Sequence, residues 1–134
     1  MECAIREWKI EDAARLAEML NNKKILNNLR DGLPYPYTKS DAEEYITSML
    51  EADKMKTFSF AITVDDKVVG SIGVFRCDNI HFGTAEPFAY NIASCRVLEK
   101  AGFQFEGLLR NNAIKNGKVL DMRMYSLIKE FISK

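Results

Sequence analysis

The spacing of hydrophobic residues near the start of the chain predicts a strand followed by an amphipathic helix. Residues 3–8 have a strand-like composition, and a helix is expected to begin at Glu11-Asp12. Its apolar face gathers residues that lie three or four positions apart, namely Ala13, Leu16, Ala17 and Leu20. Asn21-Asn22 is expected to end this helix.

A second helix is predicted from a capping box. In Ser40-Asp41-Ala42-Glu43, the serine oxygen is expected to accept the N–H three residues on, while the glutamate reaches back. The helix should run to about residue 52 and bury an apolar set made of Tyr45, Ile46, Met49 and Leu50. Residues 23–39 contain Gly32, Pro34 and Pro36, so they are predicted as a loop with at most a short turn.

Two hairpins and a third helix complete the pattern. Strand-like runs at residues 58–64 and 67–75 are joined by a short acidic turn. A second pair of strands, within residues 105–128, flanks Asn116-Gly117, a strong hairpin signal because both turn positions need positive φ. Between the hairpins, residues 91–101 are predicted as a helix, with asparagine as its N-cap and a glycine just past its end.

These elements predict an α+β fold in a single domain, residues 1–134. Hydrophobic residues make up 47% of the chain and charged residues 28%, which is typical of globular proteins. Lysine plus arginine equals aspartate plus glutamate at 19 each, so no excess positive charge favours nucleic acid or anionic lipid as a partner.

Targeting and metal signals are absent from the sequence. No apolar run approaches the length of a membrane span, and the N-terminus lacks the apolar stretch of a signal peptide. The three cysteines are scattered and the chain has one histidine, so neither a disulfide framework nor a zinc site is expected. Reduced thiols of this kind predict a cytoplasmic protein without a metal.

The stretch from residue 91 to residue 103 resembles the last block of the GNAT N-acetyltransferases. It reads Asn-Ile-Ala-Ser-Cys-Arg-Val-Leu-Glu-Lys-Ala-Gly-Phe, and it is most similar to the RimJ/RimL-like branch, which acetylates the N-termini of ribosomal proteins. The similarity extends from residue 1 to about 76 and from about 86 to the C-terminus. It implies a GNAT fold, a mostly antiparallel sheet flanked by about three helices, with acetyl-coenzyme A as cofactor.

The segment that joins these two regions in the family is missing, so an internal deletion is expected. In the family it holds a strand, a glycine-rich pyrophosphate loop, a helix and a further strand. Here residues 79–90 form a seam between an N-terminal half, residues 1–78, and a C-terminal part, residues 91–134. Ala85-Glu86 resembles both flanks of the missing segment. A natural deletion between short repeats and a removal by design both account for this pattern.

The resemblance implies two cofactor residues at the start of the third helix. Asn91 matches the asparagine that binds the pantetheine arm, although it is also a good helix N-cap, and the two roles are compatible. Ser94 matches a catalytic position near the cofactor sulfur that can return a proton to the leaving thiolate. The alternative for Ser94 is an ordinary small polar residue in the first turn of a helix.

The acceptor side is less defined. By resemblance, Tyr35 and Tyr37 lie in the loop that borders the substrate groove, and packing over the core is the alternative for both rings. The branch often has a carboxylate on the strand after the last helix that serves as general base. Residues 109–114 contain none, so no base is identified.

Two functions follow from the resemblance. The leading interpretation is an acetyltransferase that acts on a protein N-terminal or small-molecule amine, with its binding of acetyl-coenzyme A weakened or lost. No glycine-rich loop remains, because Gly70, Gly73 and Gly83 are separate and none opens a predicted helix. The alternative is a non-catalytic, self-associating remnant of such an enzyme.

The deletion also predicts a homodimer. It leaves the strand at residues 67–75 without its usual neighbour, and an uncovered edge is a template for another chain. The second hairpin or the edge strand of one chain is expected to complete the sheet of the other.

Overall fold

The computed structural model describes residues 1–75 and 82–128, and these form two compact units. The first unit contains residues 1–26 and 32–75, and the second contains residues 27–31 and 82–128. The helices of the described residues are α1 (Ala13–Leu20), α2 (Lys23–Leu26), α3 (Lys39–Glu51) and α4 (Ile92–Lys100). The strands are β1 (Cys3–Arg6), β2 (Thr57–Val64), β3 (Lys67–Phe75), β4 (Phe82–Ala85), β5 (Gln104–Lys115) and β6 (Lys118–Ile128). The α+β prediction is therefore confirmed.

The first unit is a three-stranded antiparallel sheet that carries α1 and α3 on one face. The strand order is β1-β2-β3, with the predicted hairpin formed by β2 and β3. The buried residues of its core are Trp8, Ala13, Leu16, Ala17, Tyr37, Ala42, Ile46, Ala61 and Val68. Trp8 Nε1 donates to Ser59 Oγ at 3.1 Å, and the Tyr45 hydroxyl lies 3.1 Å from the same atom. Ser59 and the buried Ala61 thus face the helices.

The opposite side of this sheet, here called the outer face, is also apolar. Side chains alternate along a strand, so the neighbours of Ser59 and Ala61 point away from the helices, and the strand register brings apolar partners beside them. The outer face consists of Ile5, Phe58, Phe60, Ile62, Ile72 and Val74. Ile5 is 59% exposed and Val74 is 48% exposed. A sheet that is apolar on both sides is typical of one that is covered on both sides.

The second unit is a three-stranded antiparallel sheet with α4 packed against it. The strand order is β4-β6-β5. Tyr125 of β6 is fully buried and donates its hydroxyl to Glu99 Oε1 of α4 at 3.0 Å. The Phe105 and Tyr125 rings meet edge to face with 5.5 Å between centroids, beside the buried Cys95. The Tyr125–Glu99 hydrogen bond thus joins α4 to the hairpin, and the ring contact packs β5 against β6.

The described part of the seam corrects the sequence prediction. From the sequence, no strand is expected in the seam, and only a helix and a hairpin are expected in residues 91–134. The structure instead places β4 along β6, from Phe82 opposite Ile128 to Ala85 opposite Tyr125. Four residues are enough here because a short edge strand needs few ladder hydrogen bonds, and Pro87 lies beyond it. Residues 79–81 and Cys77 lie outside the described residues.

Both predicted hairpin turns are confirmed. Asp65 and Asp66 have φ of 47° and 63°, and Asn116 and Gly117 have φ of 50° and 73°. Two positive φ values in a two-residue loop match the right-handed twist of the flanking strands.

The start of α3 was predicted in the wrong place. Its N-cap is Thr38, whose Oγ1 accepts the Asp41 N–H at 3.1 Å, while an Asp41 oxygen accepts the Thr38 N–H at 2.7 Å. Ser40 therefore lies inside the first turn of α3. The capping box formed by Thr38 and Asp41 satisfies the free N–H groups at the helix start, so Ser40 is not the cap. The predicted loop at residues 23–39 also contains α2, a single helical turn, so the described residues have four helices instead of three.

No helix in the described ranges has the length and the apolar character needed to span a membrane.

Candidate active site

The start of α4 carries the two residues that sequence analysis assigned to the cofactor. Asn91 is the N-cap, and its side-chain oxygen accepts the Ser94 N–H at 3.2 Å. Its backbone oxygen accepts the Cys95 N–H, also at 3.2 Å. The structure therefore brings Asn91 and Ser94 together, and both side chains are half-buried. The cap leaves the Asn91 amide nitrogen, with its two donors, outside this interaction.

The chain that leads into α4 is held firmly on β6. The Ala89 N–H donates to the Asp121 carbonyl and the Arg123 N–H donates to the Pro87 carbonyl, both at 2.9 Å. The Tyr90 hydroxyl donates to the Asn27 carbonyl, and the Tyr90 ring stacks on the buried Phe88 at 5.4 Å. These contacts fix the position of the cap residue that follows.

A carboxylate reaches the strand segment where sequence analysis found none. Glu86 Oε2 accepts Arg30 Nη2 at 3.0 Å and Asn112 Nδ2 at 3.5 Å. The same two donors lie 3.5 Å from the sulfur of the buried Met122. Asn112 belongs to the segment 109–114, so this carboxylate comes from the seam and not from β5.

The second unit also contains a cleft of about 320 Å³. Its lining residues are Asn27, Tyr90, Lys115, Asn116, Lys118 and Leu120. Lys115 Nζ pairs with Asp31 at 2.8 Å, and the Asn116 N–H donates to the other Asp31 oxygen at 3.0 Å. The hydrogen bond from Lys115, aided by that N–H, lowers the pKa of Asp31. The cleft therefore combines basic and amide groups.

The two predicted substrate tyrosines differ in exposure. Tyr37 is 5% exposed in the core of the first unit, and its backbone N–H donates to Asn21 Oδ1 at 2.9 Å. Burial raises the pKa of its hydroxyl. This position favours the packing alternative for Tyr37. Tyr35 is 59% exposed, with Lys23 Nζ 6.0 Å from its ring centroid, and its ring is open to a ligand.

The longer described helices have N-termini that are already occupied. At α1, Asp12 accepts the Lys9 N–H at 2.9 Å and pairs with Arg6, which places a negative charge there. Thr38 caps α3 with Asp41, and Asn91 caps α4. A pyrophosphate needs free N–H groups at a helix start, usually on glycines. The described residues provide no such cradle, so they do not fit the diphosphate part of the expected cofactor.

The residues that the structure describes also contain no cluster of three or more histidine, cysteine or acidic side chains able to hold a metal ion.

Comparison with known proteins identifies a family over most of the chain. The Acetyltransferase (GNAT) domain family matches residues 3–86. No curated protein matches the sequence.

Solved structures share the fold at low sequence identity. RimL, described as a ribosomal L7/L12 alpha-N-protein acetyltransferase in complex with coenzyme A, is 15% identical with a TM-score of 0.80, covering 94% of this chain and 93% of its own. RimJ of Mycobacterium smegmatis, in complex with a CoA-disulfide, is 16% identical with a TM-score of 0.79, covering 93% and 81%. The microcin C7 self immunity acetyltransferase MccE, in complex with acetyl-CoA and AMP, is 17% identical with a TM-score of 0.75, covering 96% and 93%.

Proposed function

Because this chain belongs to the GNAT acetyltransferase family, we propose that it transfers an acetyl group from acetyl-coenzyme A to a protein N-terminal or small-molecule amine, with a weakened hold on the cofactor. The observation that carries the proposal is the start of α4, where Asn91 and Ser94 are joined by a 3.2 Å hydrogen bond. Fold relatives that hold coenzyme A or acetyl-coenzyme A support a cofactor of this class.

The roles of Asn91 and Ser94 follow from the groups they present. The N-cap uses the oxygen of Asn91, so its amide nitrogen is the group that would bind a pantetheine carbonyl. Ser94 presents a hydroxyl in the first turn of α4, where the helix dipole stabilises negative charge. On the acceptor side, exposed Tyr35 is the better candidate for substrate contact, since Tyr37 is buried.

The weakened hold on the cofactor rests on the proposed internal deletion. The family match ends at Glu86, inside the seam, and the starts of α3 and α4 are capped by Thr38 and Asn91. The apolar outer face of the first sheet also supports a lost covering element, since the helices described in that unit contact the other face. Three lost hydrogen bonds to a charged pyrophosphate, at about 1.5–3 kcal/mol each, weaken binding by roughly a thousandfold or more.

A non-catalytic remnant is the second candidate, favoured by the same absence of a pyrophosphate cradle in the described residues. The two candidates differ in what millimolar coenzyme A does to the melting temperature. A weak site stabilises the protein by RT ln(1 + [L]/Kd), which is measurable once ligand exceeds Kd. An absent site gives no shift.

The proposed transfer is tested by mass spectrometry of amine-bearing peptides incubated with millimolar acetyl-coenzyme A. We expect slow acetylation that Ser94→Ala reduces at least about tenfold, with little change in stability. Ser48→Ala, an exposed helix serine that bonds only its own helix at Tyr45, is the matched control and should leave the rate unchanged. No product and no thermal shift at millimolar ligand would overturn the transferase proposal in favour of the remnant.

A further inference from the structure

β3 is a long strand at the end of the first sheet. In the order β1-β2-β3 it pairs with β2 on one side, and the described residues place no strand on its other side. Its nine residues run from Lys67 to Phe75. The side chains toward its end are open to solvent, with Ile72 at 44%, Val74 at 48% and Phe75 at 67% exposure. The Val68 carbonyl near the start of β3 accepts Arg15 Nε at 3.1 Å, so the part of the strand proposed for pairing is the stretch from Gly70 to Phe75.

The composition of β3 lacks the features that normally prevent edge pairing. Soluble proteins protect edge strands with charges, proline, bulges or short length. After Lys67, the residues Val-Val-Gly-Ser-Ile-Gly-Val-Phe carry no charge and no proline. The pairing with β2 skips Val69, so β3 has a bulge there, and the ladder is regular from Gly70 to Phe75. This regular, neutral stretch of six residues is the pairing surface.

We propose that β3 pairs antiparallel with β3 of a second copy of this chain, joining two three-stranded sheets into one of six strands. When two copies are related by a two-fold axis, the same strand of each copy can pair antiparallel with its equivalent. Both copies then use the same surface in the contact. Such self-pairing opposes like charges only if a charge lies near the centre of the strand. In β3 the charged residue is Lys67, at one end, so the two lysines lie at opposite ends of the pair.

A comparison with the second sheet favours β3 as the contact between the two copies. Its central strand β6 already pairs with β4 on one side and β5 on the other. Exchange of the second hairpin is thus not needed to complete that sheet, and the uncovered β3 edge is the better site of association. This inference is independent of acetyl transfer, because it uses no residue of α4.

Light scattering on purified protein at tens of micromolar tests the pairing. The expected mass is twice the 15.3 kDa of one chain. Ile72→Lys places a charge close to its own symmetry mate and should reduce the mass to one chain. Ile5→Lys is the matched control, since Ile5 lies on the same outer face, is 59% exposed and belongs to β1 at the far edge; it should leave the dimer intact.

Circular dichroism establishes that each variant is folded, and Val74→Lys, at an equally exposed β3 position, replaces Ile72→Lys if that variant does not fold. Wild-type protein with the mass of one chain would overturn the proposal. A dimer that survives both β3 substitutions, or one that Ile5→Lys also dissociates, would likewise overturn it, because the contact then lies elsewhere.

Discussion

The edge strands of the two sheets differ in length, charge and regularity. In the second sheet one edge strand, β4, is only four residues long, and the other, β5, carries Arg110 and is interrupted at Asn111, where φ is 51°. Short length, charge and a bulge are the usual protections of an exposed edge. In the first sheet β1 is short, but β3 is nine residues long, uncharged beyond Lys67 and, after a bulge at Val69, regular to Phe75.

Among the described residues, both edges of the second sheet carry such protections, whereas β3 of the first sheet does not. The uncovered edge and the apolar outer face occur together in the first unit. The internal deletion proposed above would account for both features, and also for the lack of a pyrophosphate cradle in the described residues.

Truncation of the first core should have the largest effect on stability. Ile46 of α3 is fully buried in the core of the first unit. Ile46→Ala should therefore lower the free energy of unfolding by about 2–5 kcal/mol, through lost burial and a residual cavity. The fluorescence of Trp8, the single tryptophan, reports unfolding of the first unit in urea. The control Val97→Ala, at a 65% exposed position of α4, should leave the midpoint within about 0.5 kcal/mol of wild type. Equal effects of the two substitutions would contradict the core assignment.

An ion pair in each unit gives a second comparison, this time through pH. Asp12 accepts Arg6 Nη1 and Nη2 at 2.7 and 2.9 Å and is 8% exposed, and these hydrogen bonds from Arg6 lower its pKa. Its contribution is present above the unfolded-state pKa of about 3.9 and is lost as pH falls through the lower folded value. Asp12→Asn should therefore cost about 2 kcal/mol at pH 7 and progressively less below pH 4.

Asp31 provides the control for this pH dependence. Its pKa is also lowered, chiefly by Lys115, but the group is exposed to solvent, so Asp31→Asn should change stability less than Asp12→Asn at neutral pH. Urea unfolding of both variants at several pH values measures this. A larger loss for Asp31→Asn, or a pH-independent loss for Asp12→Asn, would contradict the assigned ion pairs.

The helix caps of the two units should contribute about equally. Thr38→Ala in the first unit and Asn91→Ala in the second should each cost about 1 kcal/mol, since each leaves a helix N–H without its side-chain acceptor. Ser40→Ala tests the corrected start of α3 and should change the melting temperature very little. If Ser40→Ala lowered the melting temperature as much as Thr38→Ala, the cap would be Ser40, as predicted from the sequence.

The smallest effect is expected on the exposed side of α1. Arg15 and Glu18 form an ion pair at 2.7 Å, but their side chains are 45% and 69% exposed. Arg15 also donates Nε to the Val68 carbonyl at 3.1 Å, so the substitution that removes only the ion pair is Glu18→Ala, which should change stability by less than about 1 kcal/mol. Calorimetry measures this change. A loss of stability as large as that of Asp12→Asn would show that solvent exposure does not determine how much each ion pair contributes.

Local chemistry determined which parts of the fold could be predicted from sequence. The turn at Asn116-Gly117 and the cap at Asn91 depend on φ values and hydrogen bonds within a few residues, and both are found in the structure. The cap of α3 was misplaced because Thr38 and Ser40 offer equivalent oxygens two residues apart. Only the backbone conformation of Thr38, with φ of −91° and ψ of 164°, distinguishes them.

Contacts between distant residues could not be predicted in this way. The pairing of β4 with β6 joins residues about forty positions apart, and four residues carry too little pattern to indicate a partner. The contact of Glu86 with Arg30 spans 56 positions. Residues 109–114 themselves contain no carboxylate, but Glu86 of the seam contacts Asn112 in that segment.

The most direct test of the proposed deletion compares two ligands by titration calorimetry, coenzyme A and pantetheine. Pantetheine has the arm and the thiol but lacks the pyrophosphate and the phosphorylated adenosine, so a chain that holds only the arm gains little from the larger ligand. We predict that coenzyme A binds no more tightly than pantetheine, within about threefold, or that both bind too weakly to detect. Micromolar coenzyme A binding, about a hundredfold or more tighter than pantetheine, would contradict the account, because it requires a working site for the phosphate-bearing half of the cofactor in this chain.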